Sequence, residues 1–94
     1  MATTERRTAL ITGASRGLGL ALARELATQN WNLIIDARGT QALEKARTQL
    51  LVLADGSKII AISGDVTDAA HLAKLAEASH ELGGLDLQIG RAHV

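Results

Sequence analysis

A glycine-rich turn, Thr12-Gly13-Ala14-Ser15-Arg16-Gly17-Leu18-Gly19, lies between a short apolar run, Ala9-Leu10-Ile11, and a segment with helical periodicity. No other feature of the chain constrains its fold as tightly. Glycines let a backbone turn sharply and come close to a phosphate. The first turn of the following helix offers N–H groups without intrahelical partners and a partial positive charge. Strand, glycine turn and helix in this order form a phosphate cradle. The spacing is Gly-x-x-x-Gly-x-Gly, a variant of the dinucleotide fingerprint. The hydroxyls of Thr12 and Ser15 are placed either to hold phosphate or to cap the turn. Ser15 is not a nucleophile candidate, because no histidine lies near it in sequence.

The alternation continues along the chain. Residues 8–12 read as a buried strand, followed by a helix with Leu18, Ala21, Leu22 and Leu26 on one face, ending near Gln29-Asn30. Residues 32–36 are a second strand. Thr40 is the expected cap of a helix with Leu43, Ala46, Leu50 and Leu53 inward, closed by an Asp55-Gly56 turn. Residues 58–63 are a third strand. Thr67 or Asp68 caps a third helix with Leu72, Leu75, Ala76 and Leu82 inward, which Gly83-Gly84 stops. Leu85-Asp86-Leu87 enters a fourth strand. Continuously apolar strands belong to parallel sheets covered on both faces. Right-handed crossovers put the first two helices on one face. The predicted fold class is α/β: the N-terminal half of a doubly wound, Rossmann-type parallel sheet, with three strands, three helices and the start of a fourth strand.

Ninety-four residues allow one small domain. A chain of this size buries only about 60–65% of its unfolded surface, so the core is thin. Ten basic and ten acidic residues cancel and are interspersed, which argues against nucleic acid or an anionic membrane as partner. Cysteine is absent, which excludes disulfides and thiolate metal sites. No apolar run approaches the roughly 20 residues of a membrane span. Residues 1–7 lack the apolar stretch of a signal peptide, so a cytoplasmic location is expected. His71, His80 and His93 have no metal-ligand spacing. His71 and His80 fall on a polar helix face and are expected to be solvated. Trp31 joins helix to strand as a packing residue.

The second strand ends Ile35-Asp36-Ala37-Arg38. In a dinucleotide fold this tip faces the adenosine ribose, where an acid binds a 2′-hydroxyl and an arginine accommodates a 2′-phosphate. Both types are present. Together with Thr12-Gly13, Gly17, Gly19, Asp65-Val66 and Leu85-Asp86, the pair Ala37-Arg38 resembles the classical short-chain dehydrogenase/reductase family over about residues 7–87. The resemblance implies a nicotinamide dinucleotide cofactor and a small-molecule carbonyl or alcohol substrate. It implies cofactor contacts from Gly13, Ser15, Arg16, Gly17, Leu18 and Gly19 in the turn, and adenine contacts from Asp65 and Val66. Read without the resemblance, Asp65 is an acid at a helix start, stabilised by the helix dipole. In the family's register Ala37, not Asp36, holds the position where NAD-dependent members carry aspartate. Arg16 and Arg38 fill the two basic positions of NADP-dependent members. NADP is therefore expected over NAD, since a planar guanidinium fork can bind two phosphate oxygens.

The family's chemistry uses a Tyr-x-x-x-Lys pair, a serine and an asparagine. This chain has no tyrosine, and no catalytic residue is assigned in it. After the fourth strand the family pattern expects Asn-Asn-Ala-Gly. The chain instead reads Gln88-Ile89-Gly90-Arg91-Ala92-His93-Val94. Ile89 onward is what the bases ATCGGAAGAGCACACGTC of a common sequencing adapter encode, and the adapter's next triplet is a stop. Residues 1–87 are thus expected to be a partial NAD(P)-binding domain, and 88–94 a non-biological tail. The parent is expected to be an NADP-dependent, homo-oligomeric short-chain oxidoreductase, of which this chain is an inactive part. The alternative is a non-catalytic dinucleotide-binding or sensing module. An S-adenosylmethionine-binding domain fits the Thr-Gly start and Arg38 less well. Ending the fourth strand at Leu87 is expected to leave residues 8–12 unpaired along one side, and so to favour association.

Overall fold

The computed structural model describes residues 6–90. Strands and helices alternate: β1 (Thr8–Ile11), α1 (Gly17–Thr28), β2 (Asn32–Ala37), α2 (Thr40–Leu53), β3 (Ile59–Ser63), α3 (Ala69–Glu81) and β4 (Leu87–Ile89). The strands form one parallel sheet in the order β3-β2-β1-β4. This is the doubly wound arrangement the alternation implies.

β1 is paired on both sides. Leu10 stands opposite Ile34 of β2 and opposite Gln88 of β4. The Thr12 N–H donates to the Ile89 carbonyl at 3.0 Å. The bare edge expected for residues 8–12 is therefore absent, and the edges of the sheet are β3 and β4. Gln88 and Ile89, which fall in the segment read as a tail, supply the pairing. Parallel pairing is a backbone interaction that any non-proline residue can make, so a break in the apolar pattern at Gln88 does not end the strand. Residues 91–94 of that segment, His93 among them, lie outside the described residues.

Side chains alternate across the sheet. Ala9, Ile11, Leu33 and Ile35 pack with residues of α1 and α2, whereas Leu10 and Ile34 pack with Leu75 and Ala78 of α3. The first two helices thus share one face, as right-handed crossovers require. The inward stripe of α1 is only in part the expected row, of which Leu26 packs against the core. Ala23 and Ala27 are buried, while Ala21 is exposed and Leu18 is 75% exposed. Small residues allow α1 to sit close to the loop and sheet: a Cβ on Gly19 would lie 2.5 Å from the Gly13 carbonyl oxygen. Leu43, Ala46 and Leu50 of α2 are buried as expected, but Leu53 is exposed. In α3 the buried residues are His71, Leu75 and Ala78, and Ala76 is exposed.

Helix ends follow local chemistry. Asp68 caps α3, its Oδ1 accepting from the Ala70 N–H at 3.1 Å. The residue capping α2 is Gly39, not Thr40, whose hydroxyl instead donates to Ser63 Oγ at 3.2 Å. At the end of α1, Asn30 takes φ +66°, and the N–H groups of Asn30 and Trp31 return to Ala27 and Leu26. Trp31 packs against the core, with the Arg7 guanidinium 5.8 Å from its ring centroid. Among the described residues no helix is long and apolar enough to cross a membrane.

Candidate nucleotide-binding site

The C-terminal ends of the four strands open into a cleft of about 320 Å³ lined by Thr12, Gly13, Asp36, Ala37, Arg38, Gly64, Val66 and Gly90. In open α/β sheets ligands bind at this end, where the strand order reverses. The reversal lies at β1, between β2 and β4.

The glycine turn is built as its sequence requires. Gly13 and Gly17 have φ of +64° and +61°, the left-handed region that a side chain disfavours. The first internal bond of α1 runs from the Leu20 N–H to the Arg16 carbonyl at 3.3 Å. The N–H groups of Gly17, Leu18 and Gly19 precede it and have no partner within the helix. No acid lies in the first turn, and the Arg16 side chain does not cap it. A helix start with no carboxylate of its own attracts an anion. Leu18 and Arg16 are exposed here and Ser15 is half-buried. Thr12 Oγ1 lies 3.5 Å from the Ile89 carbonyl, and a Cβ on Gly90 would overlap that hydroxyl. Close approach of β4 to the turn thus depends on a glycine. These features fit the pyrophosphate of a dinucleotide.

The far side of the turn is held by Asp36. Its Oδ1 accepts from the Gly13 N–H at 3.0 Å, and its backbone carbonyl accepts from the Ala14 N–H at 2.9 Å. Its Oδ2 lies 2.8 Å from His71 Nε2. Asp36 is 1% exposed and His71 is 4% exposed. The expectation that His71 is solvated is therefore overturned. His71, Leu75, Ala78 and Leu82 share one helical stripe, and a histidine on that stripe can enter the interior when a buried acid meets it. Asp36, an acid inside an otherwise apolar strand, was the signal in the sequence. Gly64 completes the arrangement, because a Cβ there would overlap the imidazole. His80 is exposed, as expected.

Arg38 and Asp65 meet at the outer lip. Arg38 Nη2 lies 3.2 Å from Asp65 Oδ2, with both side chains substantially exposed. Asp65 Oδ1 accepts from the Thr67 N–H at 2.9 Å and from its hydroxyl at 2.8 Å. These two bonds, first the backbone one, with smaller help from Arg38 and His71, hold the Asp65 carboxyl below the usual carboxylate range. Val66 borders the cleft and packs toward α3. The structure thus brings Gly13, Arg38 and Val66 to one cleft, with Asp65 at its rim.

A doubly wound parallel sheet with a glycine turn after its central strand and an uncapped helix start defines a nucleotide-binding α/β domain. The short chain dehydrogenase family model matches residues 7–92, and the chain belongs to that family. It is 39% identical over 90 residues to an uncharacterized oxidoreductase of Mycobacterium tuberculosis, covering 95% of this chain and 36% of that protein. It is 37% identical over 95 residues to the ketoacyl reductase HetN of Nostoc, covering 100% of this chain and 32% of the relative. Among solved structures, L-sorbose reductase from Gluconobacter frateurii, complexed with NADPH and L-sorbose, superposes with a TM-score of 0.84 at 26% identity, covering 96% of this chain and 34% of the other. The chain spans about a third of the length of these relatives.

Proposed function

We propose that this chain carries the adenosine-diphosphate side of an NADP site, and that the protein it comes from is an NADP-dependent short-chain oxidoreductase interconverting a carbonyl and an alcohol. The observation that carries the reading is the uncapped start of α1 together with Arg38 at the cleft just after β2: N–H groups without intrahelical partners for a pyrophosphate, and a guanidinium for a 2′-phosphate. Gly13, Ser15, Gly17, Leu18 and Gly19 form the phosphate turn, with Arg16 and Arg38 as the two basic groups. Asp65 and Val66 border the adenine. Solved relatives bound to NADPH or NADP support the choice of cofactor.

In this reading the turn binds and orients the cofactor, and the cofactor supplies hydride chemistry when bound. Arg38 turns from Asp65 toward a 2′-phosphate, which carries more charge and more acceptor oxygens than one carboxylate. The tyrosine that the family uses as its general acid/base is absent from the chain. In this reading the chain alone is inactive and, spanning about a third of its relatives' length, binds NADPH weakly. The second reading, a non-catalytic dinucleotide-binding module, is favoured by that same absence. Sequencing the gene beyond codon 87 against an overlapping read separates the two. A Tyr-x-x-x-Lys in frame supports the oxidoreductase, and its absence supports the module. The same read tests whether 88–94 is adapter translation.

A further inference from the structure

We propose that His71 is a positioning residue of the phosphate turn. Acting through Asp36, it keeps the Gly13 N–H turned inward and so fixes the turn whose later N–H groups face the cleft. The inference deepens the cofactor reading above. With the Asp36 carboxylate as acceptor, its 2.8 Å contact with His71 is a hydrogen bond donated by Nε2–H. The other carboxylate oxygen is committed to Gly13 at 3.0 Å. With one oxygen tied to α3 and the other to the turn, the carboxylate plane cannot rotate without losing one of them.

Asp36 borders the cleft yet is only 1% exposed, so the imidazole is the partner that Oδ2 has in the folded chain. Removing the Nε2 proton donor leaves Oδ2 buried and unpaired. The carboxyl group is then free to turn, and its hold on Gly13 weakens. Gly13 is where such slack matters, since its φ of +64° sets the direction in which the turn leaves β1. The bare Cα of Gly64 is what lets the ring reach this place, because a Cβ would overlap it. His71 does not itself line the cleft and reaches it through Asp36, which does. Its effect on a ligand is indirect.

The test reads amide hydrogen exchange in the ¹⁵N-labelled, cofactor-free chain, comparing the parent with His71→Leu and His71→Gln. Glutamine keeps an N–H donor near the Nε2 position, and leucine does not. The expected result is Gly13 exchange at least about tenfold faster in His71→Leu, beyond any change at the core amides of Leu10 and Ile34, and restored in His71→Gln. A role in packing alone would move Gly13, Leu10 and Ile34 together. That outcome, or equal losses in both variants, overturns the proposal. Should His71→Leu fail to fold, Gly64→Ala displaces the same ring. Selective release of Gly13 supports the proposal, and undiminished protection contradicts it. NADPH titration of the parent is read separately. A parent that ignores NADPH sinks the cofactor reading and leaves the exchange result standing.

Discussion

His71 Nε2 and Asp36 Oδ2 lie 2.8 Å apart, although 35 positions separate them in the chain. The contact joins α3 to the end of β2, and through Asp36 Oδ1 it extends to the N–H of Gly13. Three segments that converge only after folding are thus tied at one carboxylate. Removing either side of such a pair strands a buried polar group. Asp36→Ala is expected to destabilise the chain by about 1–3 kcal/mol, read as a lower urea midpoint. A change within about 0.5 kcal/mol, the usual range for surface sites, would mean that the pair contributes nothing.

Gly64→Ala should cost about 1–3 kcal/mol, because the added Cβ overlaps the His71 ring. In a His71→Ala background the ring that the Cβ would meet is gone. The two changes together should therefore cost less than their sum, by about 0.5–3 kcal/mol of coupling in a double-mutant cycle. Strict additivity would refute the steric account.

Gly19 and Gly13 are needed for different reasons. A Cβ at Gly19 would sit 2.5 Å from the Gly13 carbonyl oxygen, whereas at Gly13 nothing lies within 4 Å and only its φ of +64° opposes a side chain. Gly19→Val is thus expected to displace α1 from the turn and abolish NADPH binding. Gly13→Ala should cost roughly 1 kcal/mol in backbone strain and bind NADPH more weakly. Both variants are read by thermal melting and by titration. NADPH binding by Gly19→Val at the parent's affinity would rule out the close packing as a requirement.

The Asp65 carboxyl is expected to titrate below the ordinary aspartate value of about 3.9, because the Thr67 N–H and hydroxyl stabilise its charged form. A depressed folded value means the contribution is present above the unfolded value and is lost as pH falls through the folded one. Carboxyl ¹³C shifts followed from pH 6 downward check this. Thr67→Ala should raise the midpoint, and an unmoved midpoint would contradict the assignment.

The elements, the doubly wound arrangement and the two-face packing were legible in the sequence because the first three strands are largely apolar runs and each crossover has a fixed hand. Three things were not. The inward face of α1 is set by Ala23 and Ala27, since a helix lying close to a glycine turn needs small residues where the hydrophobic pattern favours leucines. The pairing of Gln88 and Ile89 with β1 is a backbone interaction that leaves little mark on side-chain type. The burial of His71 depends on a partner in another element, so helical periodicity alone placed it on the polar side. Asp36, directly after Leu33-Ile34-Ile35, was the visible half of that pair.

The most direct test of the account is a two-dimensional ¹⁵N–¹H titration of the 94-residue chain with NADPH and, in parallel, with NADH, both carried to millimolar concentration. The expected result is a weak, saturable NADPH site perturbing the amides of Gly17, Leu18, Gly19 and Arg38. NADH should bind roughly ten- to hundredfold more weakly, as expected for loss of a charged phosphate contact, and Arg38→Ala should erase most of the difference. Saturation by both cofactors alike, or no change at the turn, would contradict it.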